Sequence, residues 1–192
     1  MTRSDPVPPA SLPVLLAGPA AEAALAARIA RLPQDAVFAF RAGRHPRGTD
    51  PHRLAYRLLA WLRARAGHAE PLPTAPEAIV ERLPNWLARA AAAGPVWIAL
   101  AGVERLSGTM RDWLPGHLPP GATLWLATAS ADLADAWANA GGQREPVDDA
   151  VAVDWPAAEG ARPACLDRCW DLADNGRWAA LREALNEAAT LE

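Results

Sequence analysis

The sequence predicts an α/β fold, a three-layer parallel sheet of about five strands with helices on both faces. Short apolar runs alternate along the chain with stretches of helical periodicity. Several of those runs are apolar throughout, as strands covered on both faces require. The chain has 192 residues, 51% hydrophobic and 21% charged, with a formal net charge of -3, which suits one soluble core.

The elements follow in order. "LPVLLAG" reads as a buried strand ending at Gly18, and "PAAEAALAARIARL" as a helix with Leu25, Ile29 and Leu32 at helical spacing. "DAVFAFRAG" is the second strand and "RHPRG" a loop. "TDPHRLAYRLLAWLRARAG" starts a helix with Thr49 or Asp50 as cap and Pro51 in its first turn, and Gly67 ends it. "PEAIVERLPNWLARAAAAG" is helical, with a bend expected before Pro84, and closes at Gly94. "PVWIALAG" and "ATLWLATAS" are buried strands, separated by a short helix and turn in "TMRDWLPGHLPPG". "ADLADAWANAGG" is a helix ended by glycines, and "AVAVDWP" is read as the last strand. A C-terminal helical pair starts near Pro163 and near Arg177. Residues 1–11 are expected to form a disordered tail, residues 12–160 the α/β domain, and residues 161–192 helices packed on it.

Composition excludes several chemistries. All 19 basic residues counted as Lys plus Arg are arginine. A Schiff base, a Ser-Lys pair and a phosphate-loop lysine are therefore closed to this chain acting alone. Cys165 and Cys169, four apart, fit two buried side chains in a reducing compartment better than half a metal site. The four histidines pair with no nucleophile by spacing. The mild negative charge makes nucleic acid an improbable partner, and no apolar run reaches the length of a membrane span. The expected location is cytoplasmic.

Ligands of parallel sheets bind beyond the carboxyl ends of the strands, so the segments after Ala17, Phe40, Leu100 and Ala127 carry the functional question. The first has the outline of a phosphate loop. A working loop, G-x-x-x-x-G-K-[ST], wraps phosphates with backbone N–H groups, neutralises them with lysine and holds magnesium with a hydroxyl. Counting from Gly18, this chain supplies Ala23, Ala24 and Leu25 where Gly, Lys and Ser/Thr belong. Pro19 and the alanines favour a helix that starts at once, with Glu22 in its first turn opposing a phosphate. In "GPVWIALAGVERLSG" the metal-side position of a Walker B strand is Ala101, which offers a hard cation no oxygen. Glu104, the only acid nearby, reads as a solvated loop carboxylate. Thr128 or Ser130 stands where related ATPases place a polar sensor, although either could cap the next helix.

The order "VLLAGP", "VFAFRAGRHPRGTDPHRLAYRLLAWL", "VWIALAGVERLSG" and "WLPGHLPPGATLWLATAS" resembles the nucleotide-binding core of STAND ATPases, signalling relatives of the AAA+ proteins. The resemblance covers about Leu12 to Ser130, and "VERL…WLP…LPPG" is its specific part. The departures fall on the lysine, the hydroxyl and the strand-end aspartate. The resemblance therefore implies an inactive STAND module with no catalytic residue, cofactor or metal of its own. It implies a protein-interaction adaptor or scaffold in bacterial signalling or defence, with protein partners in a larger assembly.

Arg41, Arg44, Arg47 and Arg53, with His45 and His52, crowd the loop after the second strand. This reads as an anion or partner-binding loop, or as a solvated basic turn. Of the nine tryptophans, Trp61, Trp97, Trp125 and Trp170 read as core. Trp86, Trp113, Trp137, Trp155 and Trp178 are candidates for exposure and docking. The alternatives to an adaptor are a residual nucleotide or anion binder without hydrolysis, and an unrelated enzyme on the same scaffold.

Overall fold

The computed structural model describes residues 12–43, 48–73, 75–107, 118–148 and Trp155. The chain runs β1 (Val14–Ala17), α1 (Ala21–Ile29), β2 (Val37–Arg41), α2 (Pro51–Ala66), α3 (Pro76–Ala93), β3 (Val96–Ala101), β4 (Ala122–Thr128), α4 (Ala131–Asn139) and β5 (Gln143–Pro146). All strand pairs are parallel, in the order β2-β3-β4-β1-β5. The α/β class and the five-stranded parallel sheet are as the sequence predicts.

The order places the helices. From β1 the chain steps outward to β2, and every later crossover steps back the other way. Because crossovers between parallel strands are right-handed, α1 lies on one face and α2, α3 and α4 on the other. Strand alternation divides the core accordingly. Leu15, Phe38, Phe40, Ile98, Leu100, Leu124 and Leu126 join the buried side of α2, α3 and α4. Leu16, Ala99, Ala101 and Ala127 join Ala21, Leu25 and Ile29 of α1.

Local chemistry accounts for the helix ends. Asp50 caps α2 by accepting from the His52 N–H at 2.9 Å, Pro51 opens it, and Gly67 closes it in the left-handed conformation. Ser130 caps α4 by accepting from the Leu133 N–H at 3.2 Å, which is its structural duty. Pro84 lies on the exposed side of α3, and one helix runs from Pro76 to Ala93 through it. A proline there removes one backbone bond, and water on the exposed side can serve the carbonyl left over.

The structure adds to or differs from the sequence reading at several places. The fifth strand of the described sheet is Gln143–Pro146, a polar segment that no hydropathy pattern flags. Trp155 is not in a strand, and the rest of "AVAVDWP" lies outside the described residues. Trp86, one of the candidates for exposure, is 2% exposed and belongs to the core cluster of α2, α3 and the sheet. By contrast Trp61, Trp97 and Trp125, read as core, are only half-buried, as are Trp137 and Trp155. Among the described residues, the one large hydrophobic side chain that is exposed is Leu12.

The chain divides into two compact units, Met1–Trp155 and Pro156–Glu192. The second lies outside the described residues, and with it the predicted C-terminal helices, Cys165, Cys169, Trp170 and Trp178. The short helix expected around Trp113 also lies outside them. Among the described residues, no helix is long and apolar enough to cross a membrane.

Candidate functional site

The carboxyl ends of β1, β2, β3 and β4 bring Ala17, Arg41, Ala101 and Thr128 to one edge, with Ala17 in register with Thr128 and Arg41 with Ala101. A ligand of this sheet would be sought here.

Where a phosphate loop would follow β1, only Pro19 and Ala20 separate Gly18 from α1. The turn is closed by its own backbone. The Gly18 N–H donates to the Thr128 carbonyl at 3.0 Å, and the Ala21 N–H to the Gly18 carbonyl at 3.1 Å. Ala23, Ala24 and Leu25 are helical, and Leu25 is fully buried beneath α1. Gly18 has a packing reason of its own. It holds φ at +135°, and a Cβ there would come within 2.1 Å of the Val147 carbonyl oxygen. Val147 is fixed in that place by donating its N–H to the Ala17 carbonyl at 2.8 Å. The chain leaving β5 therefore crosses directly over the glycine, where a nucleotide's phosphates would need access.

Ala101 is likewise a packing residue. Its side chain faces α1 and is fully buried. Among the described residues, no group of three His, Cys, Asp or Glu side chains could hold a metal ion. Ala101 offers a cation no oxygen, and the turn after Gly18 starts a helix rather than a loop that wraps a phosphate.

Side chains of the protein fill the edge instead. Glu22 Oε2 meets Arg41 Nη2 at 2.8 Å, and its Oε1 meets Arg105 Nη2 at 3.5 Å. Arg105 reaches Glu104 Oε1 through Nε at 3.6 Å and donates from Nη1 to the Ala42 carbonyl at 3.4 Å. Glu104 Oε2 accepts from Thr128 Oγ1 at 2.8 Å, and that hydroxyl accepts from the Ser130 N–H at 3.0 Å. Thr128 is 0% exposed, the one fully buried polar residue among those described. A hydroxyl so placed must be satisfied on both sides, and here it is.

Glu104 is therefore not the solvated loop carboxylate the sequence suggests. The sequence cannot show that β4 lies beside β3 and delivers a buried hydroxyl to it. Arg105 carries no signal in the sequence, where it is a single arginine after an acid. Of the four arginines singled out, Arg41 enters the network, Arg53 lies half-buried in the first turn of α2, and Arg44 and Arg47 fall outside the described residues.

No family model, curated protein or solved structure matches the chain. The functional reading therefore rests on the edge itself and on the motif resemblance.

Proposed function

We propose that this chain is a catalytically inactive STAND-like NTPase domain that serves as a cytoplasmic protein-interaction adaptor or scaffold in a bacterial signalling or defence system. One observation carries the reading. At the edge where phosphates would lie, Glu22 occupies the space and is held by Arg41 and Arg105, on a helix that begins at Ala21. A carboxylate in that place repels a phosphate chain, and the closed backbone offers it no cradle. A parallel sheet with a buried core but without the lysine, hydroxyl and strand-end aspartate of phosphoryl transfer supports a reading as a surface for contact.

The test uses the whole purified chain with ATP and magnesium. Phosphate release should equal that of a buffer control, and calorimetry should show no saturable ATP heat. Magnesium-dependent release that disappears in Glu104→Gln would overturn the reading, because Glu104 would then be acting as an acid or base rather than holding Thr128 and Arg105.

A further inference from the structure

Two guanidiniums from separate elements converge on one carboxylate at the sheet edge. Arg41 ends β2 and Arg105 follows β3, and each takes a different oxygen of Glu22. Space has been made for that carboxylate. A Cβ on Gly102, which holds φ at +66°, would stand 3.2 Å from Glu22 Oε1 and 3.4 Å from the Ala42 carbonyl oxygen. The side chains of Arg41 and Arg105 remain 42% and 46% exposed, so water and solutes reach both, whereas that of Glu22 is 23% exposed. Glu104 does not compete for the same atoms, since it faces Nε of Arg105 and is held by Thr128. Paired guanidiniums converging on one planar oxyanion are what a phosphate or carboxylate site is built from.

We infer that Arg41 and Arg105 form an oxyanion site whose resident ligand is the chain's own Glu22, and that it takes an external phosphate or carboxylate group when the Glu22 carboxylate is withdrawn. The inference rests on reading this edge as non-catalytic, and it adds what that edge recognises. The charges explain why the site is closed in the native chain. Glu22 and Glu104 balance Arg41 and Arg105, so the four groups exert no net pull on an anion. A tethered carboxylate also competes at an effective concentration of about millimolar or above, which excludes weak free anions. Without Glu22, one positive charge is unopposed and two guanidiniums face solvent together.

The experiment titrates the full chain at low salt with two probes, inorganic pyrophosphate and a hexaglutamate peptide, followed by calorimetry. Glu22→Ala should bind at least one probe roughly ten-fold or more tighter than wild type, and added salt should weaken that binding. Tighter binding of pyrophosphate marks a site for free phosphate groups, and tighter binding of the peptide marks one for a partner's carboxylates. Arg41→Ala combined with Glu22→Ala should abolish the gain. Circular dichroism checks folding, and Glu22→Gln, which keeps the shape and removes the charge, stands in if Glu22→Ala unfolds. Binding of neither probe above wild type in a folded variant overturns the inference, as does a gain that survives loss of Arg41. Neither result touches the non-catalytic reading of this edge, which is tested separately by ATP turnover of the wild-type chain.

Discussion

Among the described residues, helices of 16, 18 and 9 residues cover one face of the sheet, and one nine-residue helix lies on the other. The heavily covered face is built from large side chains: Phe38, Phe40, Trp86 and leucines from every layer. On the α1 face Ala99, Ala101 and Ala127 join Leu25 and Ile29, with Leu16, Val37 and the half-buried Trp97 and Trp125 in the same cluster. Small side chains let a helix lie close to the strands, and the close fit has a consequence at the edge. It carries the first turn of α1 to the strand ends, where Glu22 comes within reach of Arg41 and Arg105. One face supplies stability through buried area, and the other supplies position. Position is what the charged edge depends on.

The two faces should respond to mutation in opposite ways. The largest effect is expected on the heavy face, where Trp86→Ala leaves a void in a close-packed core. A loss of about 3–5 kcal/mol in chemical denaturation is the expected outcome. A loss below about 1 kcal/mol would mean that α3 is loosely seated and the contrast between the faces is overstated.

On the light face, enlargement rather than truncation should do the damage. Ala101→Leu forces extra methyl groups between β3 and α1, and overpacking of this kind costs about 1–3 kcal/mol. The same denaturation measurement checks it. If the variant is as stable as wild type, the alanines are not holding α1 close, and another cause must be found for the place of Glu22.

The smallest effect concerns Tyr56, which packs against the heavy-face core and is the only tyrosine in the chain. Burial holds its phenol above the ordinary value of 10.0, and the Arg63 charge offsets this only in part. The folded phenol thus keeps its proton at pH values where the unfolded one has lost it. Tyr56 should leave stability unchanged below about pH 10 and lower it as the pH rises further. Tyrosinate absorbance during an alkaline titration of the folded protein should show a midpoint above 10.0, the ordinary value. A midpoint at or below that value would show that the α2 side chains are more open to water than their packing implies.

Much of the fold was legible because parallel strands buried on both faces must be apolar throughout. "VWIALA" and "ATLWLAT" could be read directly, and so could the Asp50-Pro51 helix start and the Gly67 stop. β5 was not legible. It is an edge strand whose side chains are largely exposed, and its place is set by partners elsewhere: Arg144 pairs with Asp135 of α4 at 2.7 Å, and Glu145 pairs with Arg28 of α1. Exposed positions carry no hydrophobic signal. The burial of Trp86 follows from its helical phase, which it shares with the buried Leu83, Leu87 and Ala90.

The sequence by itself determined that this chain brings no lysine amine to any site, whatever its fold. It also determined the alternation of strand and helix, because local periodicity and capping act over a few residues. Only the tertiary structure decided what stands at the edge instead. Glu22, Arg41, the adjacent pair Glu104 and Arg105, and Thr128 come from four separate stretches of the chain, and no local rule links those stretches. They meet because parallel strands in the order β2-β3-β4-β1-β5 bring their carboxyl ends to one side. There, unlike charges in a partly buried place find one another only after the sheet has formed.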